Sequence, residues 1–115
     1  MRHVTDKHIE SLPLSEPVLM ILLGLADQPR HGYAILQEID KMSQGRVQLS
    51  TGTLYGALHR LLEDGWIERF SENDNSRGKQ AYRLTQLGHR KLQHEVHRLK
   101  HLTRLASTRV ARGAV

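Results

Sequence analysis

Residues 49–68, LSTGTLYGALHRLLEDGWIE, contain the start, the period and the stop of one amphipathic helix, and a chain this short must build the rest of its fold around it. Ser50 is suited to cap the N-terminus, Leu54, Leu58, Leu61 and Leu62 recur at helical spacing, and Gly65 stands where the chain would leave the helix. The pattern predicts a helix over residues 51–64. At about 100° per residue the leucines and Ala57 form one stripe, while Gly52, Thr53, Gly56, His59, Arg60 and Glu63 fall opposite it and Tyr55 flanks them. A mid-helix glycine costs about 1 kcal/mol relative to alanine, so Gly56 on the polar face implies that another backbone comes close there. The plainer alternative is a solvated face on a packed helix.

Context favours the first account. Trp66 to Phe70 and Gln80 to Leu84, separated by a polar stretch, predict a β-hairpin directly after this helix. Upstream, residues 31–42 predict a helix with Ile35, Ile39 and Met42 on one face. Ser15 caps an earlier, nearly all-apolar helix that closes at Asp27-Gln28-Pro29-Arg30. Between them, Val47-Gln48-Leu49 alternates as a short strand would, one that pairs with the hairpin. Helix, helix and hairpin in this order predict a mainly α winged helix-turn-helix with a small β-hairpin wing. At the tip of the wing, Arg77 and Lys79 would lie near a phosphate backbone, with Gln80 and Arg83 behind them.

These residues also carry a resemblance. His31-Gly32-Tyr33, residues 49–55 (LSTGTLY), Arg60-Leu61, Asp64-Gly65, and Tyr82-Arg83-Leu84-Thr85 followed by Gly88 resemble the signature of the PadR family of bacterial transcriptional regulators over residues 14–100. The departure at Thr51, where that family usually has proline, removes a preset φ angle but no chemistry. The resemblance implies a sequence-specific DNA-binding repressor acting as a homodimer through its final helix, relieved either by a small-molecule effector or by inactivation of another kind, with the signal left unspecified.

Thr85 is placed to cap that final helix, which the pattern carries to 106–111. Leu92, Val96, Leu99, Thr103, Ala106 and Val110 make a heptad seam flanked by Leu102 and Leu105, and a domain of 115 residues has little with which to cover it. The same helix of a second subunit is the natural partner. The expected organisation is an arm over 1–14, the winged domain over 15–84 and the dimerisation helix over 85–115.

Charge is distributed unevenly. The net charge is +5, yet of 17 Lys and Arg seven fall in 85–115 against a single acidic residue, leaving ten against eleven in 1–84. Arg90, Lys91, Arg98, Lys100 and Arg104 are expected to form a positive outer surface on the final helix. The near-neutral reading half supports a second function, a winged helix used as a protein-interaction module. A third, a metal-responsive regulator, rests on His94, His97 and His101, which share an outward face but lack a carboxylate or cysteine to complete a metal shell.

The chain has no cysteine, which excludes disulfides, thiolate metal sites and cysteine catalysis and is compatible with a reducing cytoplasm. No catalytic arrangement stands out, no cofactor is expected, and the apolar run from Pro17 to Ala26 is too short to span a bilayer. The expected DNA contacts are Ser50, Thr53, Tyr55, Gly56, His59 and Arg60 on double-stranded DNA, with Arg77 and Lys79 on the wing. The expected dimer contacts are Leu92, Val96, Leu99, Leu102, Thr103 and Ala106.

Overall fold

The structure, a computed structural model, describes residues 13–71 and 80–114. These form four helices and a small antiparallel sheet: α1 (Glu16–Gly24), β1 (Arg30–His31), α2 (Gly32–Met42), α3 (Thr51–Glu63), β2 (Ile67–Phe70), β3 (Ala81–Leu84) and α4 (Gln86–Gly113). The fold is a winged helix-turn-helix with a long C-terminal helix. Residues 1–12 of the expected arm, and Arg77 and Lys79 on the expected wing, lie outside the described residues.

Three of the four described helices begin where a hydroxyl can take up a free amide. Ser15 accepts from the Val18 amide at 3.4 Å, Ser50 from Thr53 at 3.1 Å and Thr85 from Gly88 at 3.0 Å, whereas α2 starts after His31 without a side-chain cap. The apolar faces then converge. Ile21 and Leu22 of α1, Ile35 and Ile39 of α2, Leu54, Leu58 and Leu61 of α3, and Ile67, Tyr82, Leu84 and Leu92 make one buried core. Burying each such aliphatic side chain contributes about 1.5–3 kcal/mol. Met42, expected on the buried face of α2, is 37% exposed at its end.

The sheet differs from expectation in one strand. Its order is β1-β3-β2, with Arg69 opposite Tyr82 across the hairpin and Arg30 opposite Tyr82 on the other side. Because Arg30–His31 occupies that edge of β3, residues 47–49 form no strand. Val47 and Leu49 still pack against the core and Gln48 faces out, so the alternation is real, but the Val47 amide donates to Ser43 Oγ at 3.0 Å instead of to a neighbouring strand. Helix α1 also ends earlier than Pro29 requires: Leu25 turns its amide back to the Leu22 carbonyl at 3.1 Å.

The first turns of α4 are fastened to the end of α3. The Thr85 amide donates to the Trp66 carbonyl at 3.0 Å and its hydroxyl to the Gly65 carbonyl at 2.6 Å, while Gly65 takes a φ of +78° to make the turn. Gly88 lies so close to Trp66 that a Cβ there would sit 2.9 Å from the Trp66 carbonyl carbon. Farther along, Glu95 is 4% exposed and accepts from the Leu14 amide at 3.2 Å and from Arg98 through two bonds of 3.0 and 2.7 Å. Arg98 is therefore tied to the helix's acid. Lys91 is also drawn inward, buried with its ammonium 5.2 Å from the centre of the Trp66 ring. These two cations leave the outer surface foreseen for them.

Candidate nucleic-acid interface

Helix α3 divides as its period demands. Leu54, Leu58 and Leu61 are buried, whereas Gly52, Thr53, Tyr55, Gly56, His59, Arg60 and Glu63 are all exposed. No part of the described protomer needs the glycine at position 56, since a Cβ there would meet nothing within 4 Å. Its helix-propensity cost of about 1 kcal/mol is thus unexplained by the protomer's own packing. Among the described residues Arg60 makes no ion pair, and His59 lies with Nε2 3.7 Å from Glu63 Oε2 on the exposed surface.

The N-terminus of α3 presents hydroxyls and no acid. Ser50 Oγ donates to Thr53 Oγ1 at 2.9 Å while accepting the Thr53 amide, so Ser50 is engaged in the cap and the Thr53 hydroxyl stands next to it at the surface. The free amides and positive dipole end of such a terminus favour an anion. No acidic residue in the first turn opposes that field.

Tyr55 is positioned by a contact that spacing alone did not reveal. Its phenol ring lies against Gly32, where any Cβ would collide with it, so glycine at the start of α2 lets this aromatic lie flat across the two helices. Tyr55 remains 47% exposed, and Tyr33, the next residue along α2, is 70% exposed. Burial, with the Tyr55 phenol nearby, raises the pKa of the Tyr82 hydroxyl, and Arg69 opposes that shift.

The hairpin cations have separate roles. Arg83 pairs with Glu68 at 2.8 Å and lies 4.6 Å over the Phe70 ring, so it stiffens the hairpin and is not free behind the wing. Arg69 and Arg46, neither singled out from sequence, are exposed, the latter in the loop that leads into α3. Arg46 had a signal, a cation four residues before a capping serine. Arg69 could be distinguished from Arg83 only by knowing its cross-strand partner.

Of the residues expected to make a dimer, Leu92 lies in the protomer's own core, and Val96 and Leu99 are half-buried. Leu102 is 42% exposed, and Thr103 and Ala106 are exposed. His94, His97 and His101 are exposed on α4, and no group of three or more His, Cys, Asp or Glu among the described residues converges as metal ligands.

The sequence pattern of the family described as "Transcriptional regulator PadR-like family" matches residues 19–94. The chain is similar to a 37.1 kDa protein of transposon TN4556 from Streptomyces fradiae, 37% identical over 85 residues that are 74% of this chain. It spans only 23% of that protein's length. It is also similar to the transcriptional regulator Rv3488 of Mycobacterium tuberculosis, 35% identical over 86 residues, 75% of this chain and 78% of the relative. In fold it is similar to Bacillus subtilis PadR solved in complex with operator DNA, with a TM-score of 0.60 and 21% identity over 69% of this chain and 46% of that one.

Proposed function

Because the chain belongs to the PadR-like family of transcriptional regulators, which are not enzymes, we propose that it is a homodimeric repressor that reads duplex DNA with α3. The observation that carries this is the exposed polar face of α3, with a glycine at its centre that the protomer's own packing does not require. Two copies of α3 would enter successive major grooves about one helical turn, ~34 Å, apart and read a pseudo-palindrome. Arg60 supplies the fork for guanine or phosphate, Thr53 and Tyr55 donate to phosphate oxygens, and His59 lies between them. Arg77 and Lys79 are assigned to flanking phosphates, and Ser50 acts by fixing the helix start. The fold shared with Bacillus subtilis PadR, which was solved on operator DNA, supports the same placement.

The dimer is argued from what the protomer leaves uncovered. Every described residue from 101 onward is exposed, including Leu105 at 47% and Val110 at 71%. An isolated helix of 12–15 residues is marginal in water, so this half of α4 needs a covering surface. A second copy provides it along Val96, Leu99, Leu102, Thr103 and Ala106, burying the exposed leucines of both chains. No helix among the described residues is long and apolar enough to cross a membrane.

Capture of genomic fragments by the full purified chain, followed by affinity measurement on the fragment enriched most, tests the assignment. Arg60→Ala is expected to weaken that fragment by ~1–3 kcal/mol with unchanged melting temperature. Equal affinity in the variant overturns the role of Arg60. The slight negative charge of residues 1–84 favours a protein-interaction module as the second function, and the absence of salt-dependent binding to duplex DNA would select it.

A further inference from the structure

The charge that the reading half lacks is organised along the opposite end of the molecule. Arg90, His94, His97, His101, Arg104 and Arg112 recur on α4 at intervals of four, three, four, three and eight residues, which at about 100° per residue places them within an arc of ~80°. All six are exposed. The row is about 33 Å long at 1.5 Å per residue and runs on the side of α4 away from the apolar seam. The one acidic residue of 85–115, Glu95, lies elsewhere on the helix, buried and bonded to Arg98, so no carboxylate of α4 opposes the row. At its inner end Arg90 and His94, with Trp66, Leu87 and Lys91, border a recess of about 360 Å³ that no acidic side chain lines among the described residues.

We propose that this row is a docking surface for the sugar–phosphate backbone of duplex DNA, separate from the reading face of α3. Three guanidiniums and three imidazoles form a line of N–H donors, and an imidazole keeps at least one donor in either charge state. Duplex DNA offers one negative charge per ~1.7 Å of its axis, so such a line finds acceptors whatever the base sequence. A bilayer surface fits less well, because an interfacial helix must sink an apolar face into lipid, and the apolar seam of α4 is taken up by the protomer's core at Leu92 and by the proposed dimer beyond it. The consequence is sequence-independent attraction, which raises encounter with DNA without contributing to the choice of site.

The test uses the full chain, a labelled duplex of random sequence and salt from 50 to 200 mM. If three phosphate contacts are lost, Arg90→Gln/Arg104→Gln/Arg112→Gln should weaken binding at 50 mM and make the fall in affinity across that fourfold salt range about 40-fold smaller. The double variant Glu95→Gln/Arg98→Gln serves as the control, because it removes a cation already engaged by Glu95 without leaving a buried carboxylate unpaired, and it should keep the wild-type slope. An unchanged slope in the triple variant, at unchanged melting temperature, overturns the proposal. So does a triple variant that loses binding to vesicles of anionic lipid while keeping its affinity for DNA. The outcome is independent of site reading: a chain that enriches no genomic fragment but still shows the slope change would fail as a sequence-specific regulator and keep this surface.

Discussion

Gly56→Leu separates stability from function at a single position. A Cβ added there meets nothing within 4 Å among the described residues, so a side chain starts out into open space. Leucine is better than glycine in a helix interior by about 0.8–1 kcal/mol, and α3 already has its cap and its buried stripe. For a domain of this size that gain corresponds to a melting temperature about 4 °C higher, measured at fixed chain concentration because association also shifts it. The same side chain would stand between α3 and any backbone that approaches the helix, as a major groove requires. Loss of at least tenfold in affinity, about 1.4 kcal/mol, is expected by fluorescence anisotropy on the enriched genomic fragment. A variant that is more stable and binds as wild type refutes the reasoning, because the glycine would then answer to nothing outside the protomer. A variant that is less stable refutes the open geometry instead.

Gly88→Ala should act in the opposite way, since its Cβ meets the Trp66 backbone and not open space; urea unfolding is expected to show a loss of about 1–3 kcal/mol, and an equal or higher midpoint would refute the close approach. Glu95→Gln removes a charge held by Arg98 and is expected to cost about 1.5–3 kcal/mol at neutral pH. The hydrogen bonds from Arg98 hold the Glu95 carboxyl below its ordinary range, against the effect of its burial. Its contribution is therefore present above that range and lost as pH falls through the lowered value, so wild type and variant should converge in acid; a difference that persists there would mean the charge is not the cause. Leu99→Glu places a charge in each copy of the proposed seam, and sedimentation should show dissociation or unfolding; a stable dimer would move the interface elsewhere.

What could be read from sequence was what is encoded locally. Ser50, the leucine period and Gly65 specify α3 within one stretch of chain, and the hairpin follows from two short apolar runs. The third strand is two residues long, too short for any period, and its place beside β3 is decided by how α2 packs, so the alternation at 47–49 was the more visible but wrong signal. Tyr55 was legible as a flank of the polar face. That Gly32 supports it was not, because the contact joins residues 23 positions apart in sequence on different helices. Lys91 and Glu95 misled for a related reason. Charged residues on a helix read as surface, and the tertiary contacts with Trp66 and the Leu14 amide that go with their burial leave no mark in the sequence.

Those contacts give α4 a mechanical role beyond covering a core. The chain leaves α3 at Glu63, turns through Gly65 and Trp66, and at that turn meets Thr85, Gly88 and the ammonium of Lys91, so the end of α3 and the start of the long helix form one joint. Glu95 adds a second fixed point one turn on, through the amide of Leu14 just ahead of α1. Beyond residue 100 every described residue of the helix is exposed. At 1.5 Å per residue its 28 residues are about 42 Å long, so a tilt of ~10° at the joint moves the far end by ~7 Å. In a dimer joined along α4, the reverse holds: the angle at this joint sets where the two copies of α3 lie, and a shift of that size is a fifth of the ~34 Å between successive grooves. The buried Lys91 and Glu95 are costly groups to keep inside a small domain, and rigidity at the joint is the property that their loss would remove first.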